Sequence, residues 1–498
     1  MATEAYLAFD LGAESGRTVT GQFDGERLSL EETHRFANEP VKTGETLHWD
    51  ALRLFHESKK GLSQSVAQAS QSGTEIAGMS VDAWAVDFGL IGRDGSLLGN
   101  PRHYRDHGND GVMEDAFGIV PRKTIYERTG IQFLQFNTLY QLLALKRQNS
   151  PLLDHAETLL FLPDLFHYWL TGAKTTEYSM ASSSQFSDPR TRGWATDLLS
   201  AFGLPTHLVP SILEAGKEIG TLTASVAQEL GSRRLPVIAC AEHDTGSAIV
   251  AVPATSPNFA YISSGTWSLM GIETHSPIID ARTLAHNFTN EGGVLGTNRL
   301  LKNVMGLWLV QECRRHWAKE GRHYDYNELT RLAEASPPFA ALIEPDDARF
   351  FAPVSMPDAI ADYCRETGQR VPGDVGAFVR CGLESLALKY RWVLERLEEL
   401  REGRISTVHI VGGGSQNRLL CQFAADALAR PVIAGPVEAT AAGNLLMQLK
   451  GNNRIHSLED AREVVRHSFD LLTYLPRPEM AQRWQEAYEN RQYLTISP

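Results

Sequence analysis

The sequence lacks a long apolar run. No stretch approaches the roughly 20 apolar residues that a membrane-spanning helix requires, and charged or polar residues interrupt every hydrophobic segment. The first residues, MATEAYLAFDLG, contain no basic stretch ahead of an apolar one, so they do not have the pattern of a secretory signal. We therefore expect a cytoplasmic protein without a membrane partner.

Positive charge is also scarce. The chain has 47 Lys and Arg against 60 Asp and Glu, a formal net charge of −13. Proteins that bind nucleic acid use a basic face to neutralise phosphates. The acidic balance therefore argues against nucleic acid as a partner, although a small anionic ligand needs only a local positive site.

Cysteine is rare, with five residues and no pair at C-x-x-C spacing. This excludes the usual zinc and thioredoxin motifs and suits a reducing compartment. The 16 histidines show no metal-binding spacing either. Cys364 and Cys381 are near enough in sequence for a bridge, but we expect two buried thiols.

The length of 498 residues exceeds what one ordinary core accommodates and indicates two domains of roughly 200–250 residues, or three smaller ones. A second strand–turn–strand unit begins after the segment 241–257. We therefore predict domains at 1–242 and 243–475, with residues 476–498 ending in a helix packed on them.

Three glycine turns each follow an apolar strand: DLGAESGR (10–17), YISSGTWS (261–268) and VGGGSQN (411–417). Glycine allows a ligand to approach the backbone, and a turn of backbone N–H groups can bind phosphate. A single turn of this kind is more often structural, and none matches the P-loop or dinucleotide pattern. Strands alternate with helices in the C-terminal part, which is typical of an α/β fold with its ligands at the carboxyl ends of the strands.

Acidic residues stand at several strand ends: Asp10, Asp82, Asp87 and Asp244. An Asp before a helix is often an N-cap, and this reading stays open for Asp244. The functional alternative is a general base that accepts a hydroxyl proton. Asp10 could hold Mg²⁺, which takes one or two carboxylates together with waters and phosphates.

Seven segments occur in order along almost the whole chain: DLGAESGR, SVDAWAVDF, AEHDTGSA, SSGTWSLMG, LKNVMGLWLVQ, HIVGGGSQN and GPVEATAAGN. Together they resemble the FGGY carbohydrate kinases. The resemblance implies two actin-like (ribonuclease H-like) α/β domains with a cleft between them, the first binding the sugar and the second the nucleotide. It implies ATP and Mg²⁺ and transfer of the γ-phosphoryl group to a sugar hydroxyl. The oligomeric state stays open between a monomer and a small homo-oligomer.

Within the family, AWAVDF, HDT, SSGTWSLMG, LLKNVMGLWL and TGIQFLQFNTLYQL resemble the members that phosphorylate the 1-hydroxyl of L-rhamnulose. Another ketose or polyol, such as L-fuculose, xylulose or ribulose, remains an alternative substrate. A non-catalytic ATP- or sugar-binding relative is a third reading, which the presence of Asp244 disfavours because such a protein needs no base there.

The resemblance also implies roles for individual residues. Asp244 matches the catalytic base and Asp10 the acid near Mg²⁺. Nine positions match nucleotide contacts: Ala13, Glu14, Ser15, Gly16, Arg17, Thr266, Gln311, Gly413 and Asn417. Four match sugar contacts: Ala85, His243, Thr245 and Asn303.

Two positions depart from the related sequences. Glu14 replaces a Ser in the first glycine turn, and its carboxylate repels phosphate unless it points away or faces a metal. Ala85 replaces a Gly, and its methyl group narrows the sugar site if the backbone there reaches the ligand. Both bear on the exact substrate more than on the kinase activity.

Overall fold

The structure is a computed structural model that describes residues 4–490. The strands are β1 (Glu4–Leu11), β2 (Ser15–Phe23), β3 (Leu28–Ala37), β4 (Val41–Thr43), β5 (Thr46–His48), β6 (Glu75–Ala83), β7 (Phe88–Gly92), β8 (Ala156–Phe161), β9 (Thr175–Glu177), β10 (Ser187–Asp188), β11 (Gly193–Trp194), β12 (Ser211–Leu213), β13 (Glu218–Thr221), β14 (Pro236–Ile238), β15 (Phe259–Ser264), β16 (Trp267–Thr274), β17 (Thr289–Gly292), β18 (Asn298–Met305), β19 (Thr407–Val411), β20 (Val432–Ala434) and β21 (Leu472–Tyr474).

The α-helices are α1 (Ala51–Ser72), α2 (Val112–Ile119), α3 (Arg122–Thr129), α4 (Thr138–Arg147), α5 (Leu152–His155), α6 (Leu162–Thr171), α7 (Tyr178–Ser182), α8 (Thr196–Ala201), α9 (Ala224–Glu229), α10 (Asp244–Val250), α11 (Ala281–Ala285), α12 (Trp308–Lys319), α13 (Tyr326–Ala335), α14 (Met356–Glu366), α15 (Val375–Arg401), α16 (Arg418–Leu428), α17 (Ala439–Gly451), α18 (Leu458–Ser468) and α19 (Ala481–Glu489). Of the C-terminal helix expected within 476–498, α19 is described and residues 491–498 lie outside the described part.

Two large sheets are built to the same plan. The six-stranded sheet has the order β13-β14-β6-β1-β2-β3; β1 and β2 form an antiparallel hairpin, and β6 and β14 continue the sheet in parallel. The seven-stranded sheet has the order β17-β18-β16-β15-β19-β20-β21. There β15 and β16 form the hairpin, and β19 and β20 are parallel to β15. This duplicated arrangement is the one expected of two ribonuclease H-like domains.

The chain divides into two compact units that exchange segments. Unit 1 comprises the residues up to Pro253 together with Glu273–Leu300 and Ala439–Phe469, and unit 2 comprises Ala254–Ile272, Leu301–Glu438 and the residues from Asp470 onward. This division differs from the contiguous ranges 1–242 and 243–475 predicted above. Segment 439–469 belongs to unit 1 because α17 packs against β1, β6 and α10. Which ligand each domain binds stays a prediction.

Helix α17 lies very close to α10. A Cβ atom built on Gly443 would stand 1.8 Å from the backbone oxygen of Ser247, so only glycine permits this contact. The next residue, Asn444, is fully buried and reaches the end of β6. The ATAAGN part of the GPVEATAAGN segment, from Ala439 onward, therefore contributes to the core of unit 1, beside the helix that begins at Asp244.

The described residues include no helix that is long and apolar enough to cross a membrane. All five cysteines are buried and free. Cys364 and Cys381 are buried thiols whose side chains contact each other.

Candidate active site

In unit 1, two carboxylates stand side by side at the carboxyl ends of parallel strands. Asp10 on β1 is the register partner of Asp82 on β6, and it is also the partner of Arg17 on β2. Arg17 donates to Asp10 Oδ2 from Nε at 3.0 Å and from Nη2 at 2.6 Å. The strand pairing thus fixes one cation and two acids at this edge of the sheet.

Asp82 is buried, and one of its oxygens accepts a hydrogen bond of 2.6 Å from Asn444 Nδ2. Its other oxygen, Oδ1, is buried without a hydrogen-bond partner among residues 4–490. Burial raises the pKa of Asp82 well above its usual range, and the negative charges of Asp10 and Asp244 raise it further. The sequence singled out Asp82 as a strand-end acid, but its partner Asn444 lies in a segment far along the chain.

Asp244 is the first residue of α10, and its side chain is 30% exposed. The backbone N–H of Thr245 donates to Oδ1, and His243 Nε2 lies 3.4 Å from the same oxygen. Burial raises the pKa of Asp244, the positive form of His243 lowers it, and Asp10 raises it again. Asp244 is therefore an accessible carboxylate whose position is fixed through one oxygen.

The backbone that leads to Asp244 is held by two residues that the sequence did not single out. Glu177 Oε2 accepts a hydrogen bond of 3.1 Å from the N–H of Glu242 and also binds the N–H and hydroxyl of Ser179. Ser179 Oγ in turn accepts from the N–H of His243 at 3.2 Å. Ala83 N–H donates to the Glu242 carbonyl at 2.9 Å, which ties the segment to β6. The end of β9 and the start of α7 thereby position the His-Asp-Thr segment.

The first glycine turn is tight and anchored. Gly12 N–H donates to the Ser15 carbonyl at 3.0 Å, so the turn spans Gly12 to Ser15, and Gly16 and Arg17 lie on β2. Asn38 binds it from outside, with its N–H on the Glu14 carbonyl and its Nδ2 on the Gly12 carbonyl, both at 2.9 Å. Asn38 was not predicted from the sequence. The turn carries Ala13 and Glu14, as the sequence predicted, and both are partly exposed.

Ala85 lies in a turn after β6, next to a strained residue. Val86 has φ 72°, a left-handed conformation that is costly for a β-branched residue. The turn is held by Asp87, whose carboxylate accepts from Trp49 Nε1 at 2.6 Å, Trp84 Nε1 at 2.9 Å and Gln141 Nε2 at 2.9 Å. Asp87 is therefore a structural hub, and Ala85 is the partly exposed residue beside it.

In unit 2, the second glycine turn connects β15 and β16 at Gly265 and Thr266. The Thr266 carbonyl accepts from the N–H groups of Gly306 and Trp308, each at 3.1 Å. A Cβ atom on Gly306 would stand 2.5 Å from the Trp267 backbone, which explains the glycine in LKNVMGLWLVQ. Helix α12 therefore starts directly against the turn that carries Thr266.

The other predicted nucleotide residues of unit 2 lie at the start of α12 and in the segment that leads into α16. Gln311 lies in the first turn of α12, and its Oε1 is buried without a hydrogen-bond partner among residues 4–490. A Cβ atom on Gly414 would meet Ser264 Oγ at 2.0 Å, whereas Gly413 faces open space. Asn417 Oδ1 caps α16 by accepting from Leu420 N–H at 3.0 Å.

The predicted site residues thus form two groups. Unit 1 carries Asp10, Ala13, Glu14, Ser15, Gly16, Arg17, Ala85, His243, Asp244 and Thr245, and unit 2 carries Thr266, Asn303, Gln311, Gly413 and Asn417. Asn303 lies on β18 and is partly exposed. The roles of these residues stay predictions.

This chain belongs to the FGGY family of carbohydrate kinases. The N-terminal domain model of that family matches residues 5–251, and the C-terminal domain model matches residues 260–451. The family defines the protein as an enzyme that is a sugar kinase and uses ATP as a substrate.

Within the family, the chain is similar to rhamnulokinases. It is 46% identical to the rhamnulokinase of Bacteroides thetaiotaomicron over 97% of this chain and 98% of that protein. It is 44% identical to the rhamnulokinase of Pectobacterium atrosepticum over 96% of this chain and 94% of that protein.

Solved structures confirm the fold. The ligand-bound xylulose kinase from Lactobacillus acidophilus matches with a TM-score of 0.80 at 15% identity, covering 99% of this chain and 97% of that one. Glycerol kinase from Plasmodium falciparum with ADP matches with a TM-score of 0.77 at 15% identity, covering 98% of both chains. The predicted pair of actin-like α/β domains is therefore confirmed.

Proposed function

We propose that this protein transfers the γ-phosphoryl group of ATP to the 1-hydroxyl of L-rhamnulose and releases L-rhamnulose 1-phosphate and ADP. The similarity to rhamnulokinases over almost the whole chain supports the substrate. The observation that carries the chemistry is Asp244, an accessible carboxylate beside Asp10 and Arg17 at the strand ends of unit 1. We further propose that the enzyme acts in the cytoplasm, in L-rhamnose breakdown, as a monomer or a small homo-oligomer.

In the proposed reaction, Asp244 accepts the proton of the sugar hydroxyl as its oxygen attacks the γ-phosphorus. The new O–P bond forms while the bond from the γ-phosphorus to the bridging oxygen breaks, and ADP leaves. Phosphoryl transfer depends mainly on positioning and charge stabilisation. The fixed orientation of Asp244 by Thr245 and His243 suits that requirement.

The residues at the end of β1 and β6 fit a Mg²⁺ ion that arrives with ATP. No cluster of three or more His, Cys, Asp or Glu that could hold a metal occurs within the described chain. Mg²⁺ bound with a nucleotide needs only one or two carboxylates, because phosphates and waters complete its coordination. Asp10 would hold it, directly or through water. When bound, Mg²⁺ neutralises the charge that develops on the phosphate oxygens.

For the nucleotide, we propose contacts from Thr266, Gln311, Gly413 and Asn417 in unit 2 and from the turn 13–17 in unit 1. The unpartnered, buried Oε1 of Gln311 supports this role, since buried polar atoms normally have a partner. The open space at Gly413 supports a close approach by a ligand. Ala85, His243, Thr245 and Asn303 are proposed to contact the sugar.

A different ketose or polyol is the second candidate substrate, and Ala85 is the observation that favours it. Thr138 Oγ1 and Gln141 Nε2 donate hydrogen bonds to the carbonyl of the adjacent Val86 and thereby hold its strained backbone in place. The extra methyl group of Ala85 is therefore on a rigid turn and cannot easily move aside.

The test is ADP release with Mg-ATP and a panel of L-rhamnulose, L-fuculose, xylulose, ribulose and glycerol. We expect the highest kcat/KM with L-rhamnulose and its loss in Asp244→Asn, which keeps the shape and removes the base. Asp94→Asn, at an exposed turn, is the matched control. Faster turnover of another sugar would mean that this sugar, and not L-rhamnulose, is the substrate. An active Asp244→Asn variant would mean that Asp244 is not the base.

A further inference from the structure

The ring of His243 lies between the proposed base and a buried ion pair. Its Nε2 is 3.4 Å from Asp244 Oδ1. On the other side, its Nδ1 is 3.3 Å from Arg299 Nη2 and 3.2 Å from Glu291 Oε2. Which ring nitrogen carries the hydrogen depends on which of these groups donates.

Arg299 is held rigidly and has only 1% of its side chain exposed. Its Nε donates to the Gly292 carbonyl on β17 at 2.7 Å, which fixes the plane of the guanidinium group. Its Nη2 lies 3.2 Å from Glu291 Oε2, so that the two buried charges compensate each other. A guanidinium group has donors and no acceptor.

We infer that Arg299 is a positioning residue that fixes the tautomer of His243. Because Nη2 can only donate, the facing Nδ1 accepts, and the hydrogen of the neutral ring lies on Nε2, directed at Asp244 Oδ1. The opposite tautomer would direct an N–H at Glu291, but it would also set that N–H against the cation of Arg299. The ion pair with Arg299 already satisfies the charge of Glu291.

This arrangement distinguishes the two oxygens of Asp244. Oδ1 accepts the Thr245 N–H and faces His243 Nε2 at 3.4 Å, which leaves Oδ2 as the oxygen that these two groups do not hold. Oδ2 is therefore the oxygen that accepts the sugar proton. The inference about Oδ2 rests on the proposed function, but the tautomer of His243 is a property of the protein alone.

The first experiment measures the tautomer by ¹⁵N NMR of the full-length protein with labelled histidine, with the His243 signals assigned from a His243→Gln variant. We expect Nε2–H in the wild type and a shift towards Nδ1–H in Arg299→Met, where only Glu291 faces Nδ1. Arg462→Met is the matched control, because Arg462 also forms a mostly buried ion pair in unit 1, with Glu273. It should leave the tautomer of His243 unchanged.

The second experiment is steady-state kinetics with L-rhamnulose. We expect Arg299→Met to lower kcat by about 10-fold or more, the scale of a charge-assisted hydrogen bond, with the KM for ATP unchanged. Arg299→Lys, which keeps the charge but loses the forked geometry, should recover part of kcat. Arg462→Met should lower stability without this kcat effect.

Two results would overturn the inference: Nδ1–H in the wild type, or an unchanged tautomer and kcat in Arg299→Met. If Arg299→Met does not fold, the double variant Arg299→Met/Glu291→Met removes both buried charges that face Nδ1, and we then expect a smaller Nε2–H population than in the wild type; an unchanged population would overturn the inference. If the wild type phosphorylates no sugar, the proposed function fails, while the NMR result still decides the role of Arg299.

Discussion

Arg17 directs two donors at one oxygen of Asp10, Oδ2, and leaves the other oxygen of that carboxylate to different partners. The pairing follows from the hairpin, because the two residues face each other in the β1–β2 register. The hairpin thus places a cation beside the acid that we propose binds the metal. We propose that each residue also has a partner in Mg-ATP: Arg17 contacts the phosphates, and Asp10 contacts the metal.

Replacing Arg17 tests this pairing. We expect Arg17→Met to raise the KM for Mg-ATP about 10- to 100-fold, which corresponds to the roughly 1.5–3 kcal/mol of a charged hydrogen bond. The KM for the sugar should change much less. Arg233→Met removes an exposed Arg paired with Glu75 and is the control. Equal effects of both substitutions would contradict a specific role for Arg17.

The pKa of Asp244 predicts the acid limb of the pH profile. Burial and the charge of Asp10 raise this pKa above that of an ordinary Asp. A general base must be ionised, so kcat/KM should fall as the pH drops through a value above the usual 3.8 of Asp. The measurement is kcat/KM against pH with saturating Mg-ATP. A profile that stays flat down to the ordinary Asp pKa would contradict the prediction.

Asp87 should matter for stability. Four donors surround its carboxylate, from Trp49, Trp84, Tyr104 and Gln141. Asp87→Asn replaces one acceptor oxygen with an NH₂ group, which then faces another N–H, and we expect a loss of about 2 kcal/mol in the free energy of unfolding.

Denaturant unfolding measures this loss, and the exposed Asp94→Asn is its control. We expect that control to change the free energy of unfolding by about 0.5 kcal/mol or less. A similar loss in both variants would mean that the buried donors do not depend on the Asp87 carboxylate.

The close contact between α17 and α10 predicts a further effect. The new methyl group of Gly443→Ala would overlap the Ser247 carbonyl, so one helix must shift, at a cost of about 1–3 kcal/mol. Because α10 begins at Asp244, we expect kcat to fall as well as Tm.

The matched control is Gly118→Ala, also within a helix, where a Cβ atom meets nothing within 4 Å. It should be neutral or stabilising by up to about 1 kcal/mol. Loss of stability without loss of kcat in Gly443→Ala would separate the helix contact from the active site.

The elements that were predicted well from the sequence are those determined by short local patterns of residues. The β1–β2 hairpin follows from its apolar first strand and small turn, and helix α6 ends at Gly172 with φ 84°, a conformation typical of a C-terminal glycine. The strand–turn–strand unit around Thr266 was also predicted. In each case the residues that determine the structure are neighbours in the sequence.

Contacts between distant segments were not predictable in this way. Asn444 binds Asp82 across 362 positions, and Glu177 binds Glu242 across 65. No periodicity or motif marks Asn38, Glu177 or Arg299 as parts of the site, because a polar residue of each type is usually on the surface. For the same reason, nothing in the sequence indicated that segment 439–469 packs with unit 1.

The return of α17 also sets the order in which the protein can mature during translation. A ribosome synthesises residues 4–253 long before it reaches Asn444, so the nascent N-terminal half emerges without the helix that covers β1 and β6. The buried amide partner of Asp82 is absent at that stage. A chain that ended before residue 439 would therefore lack both the helix that packs on β1 and β6 and the amide that binds Asp82.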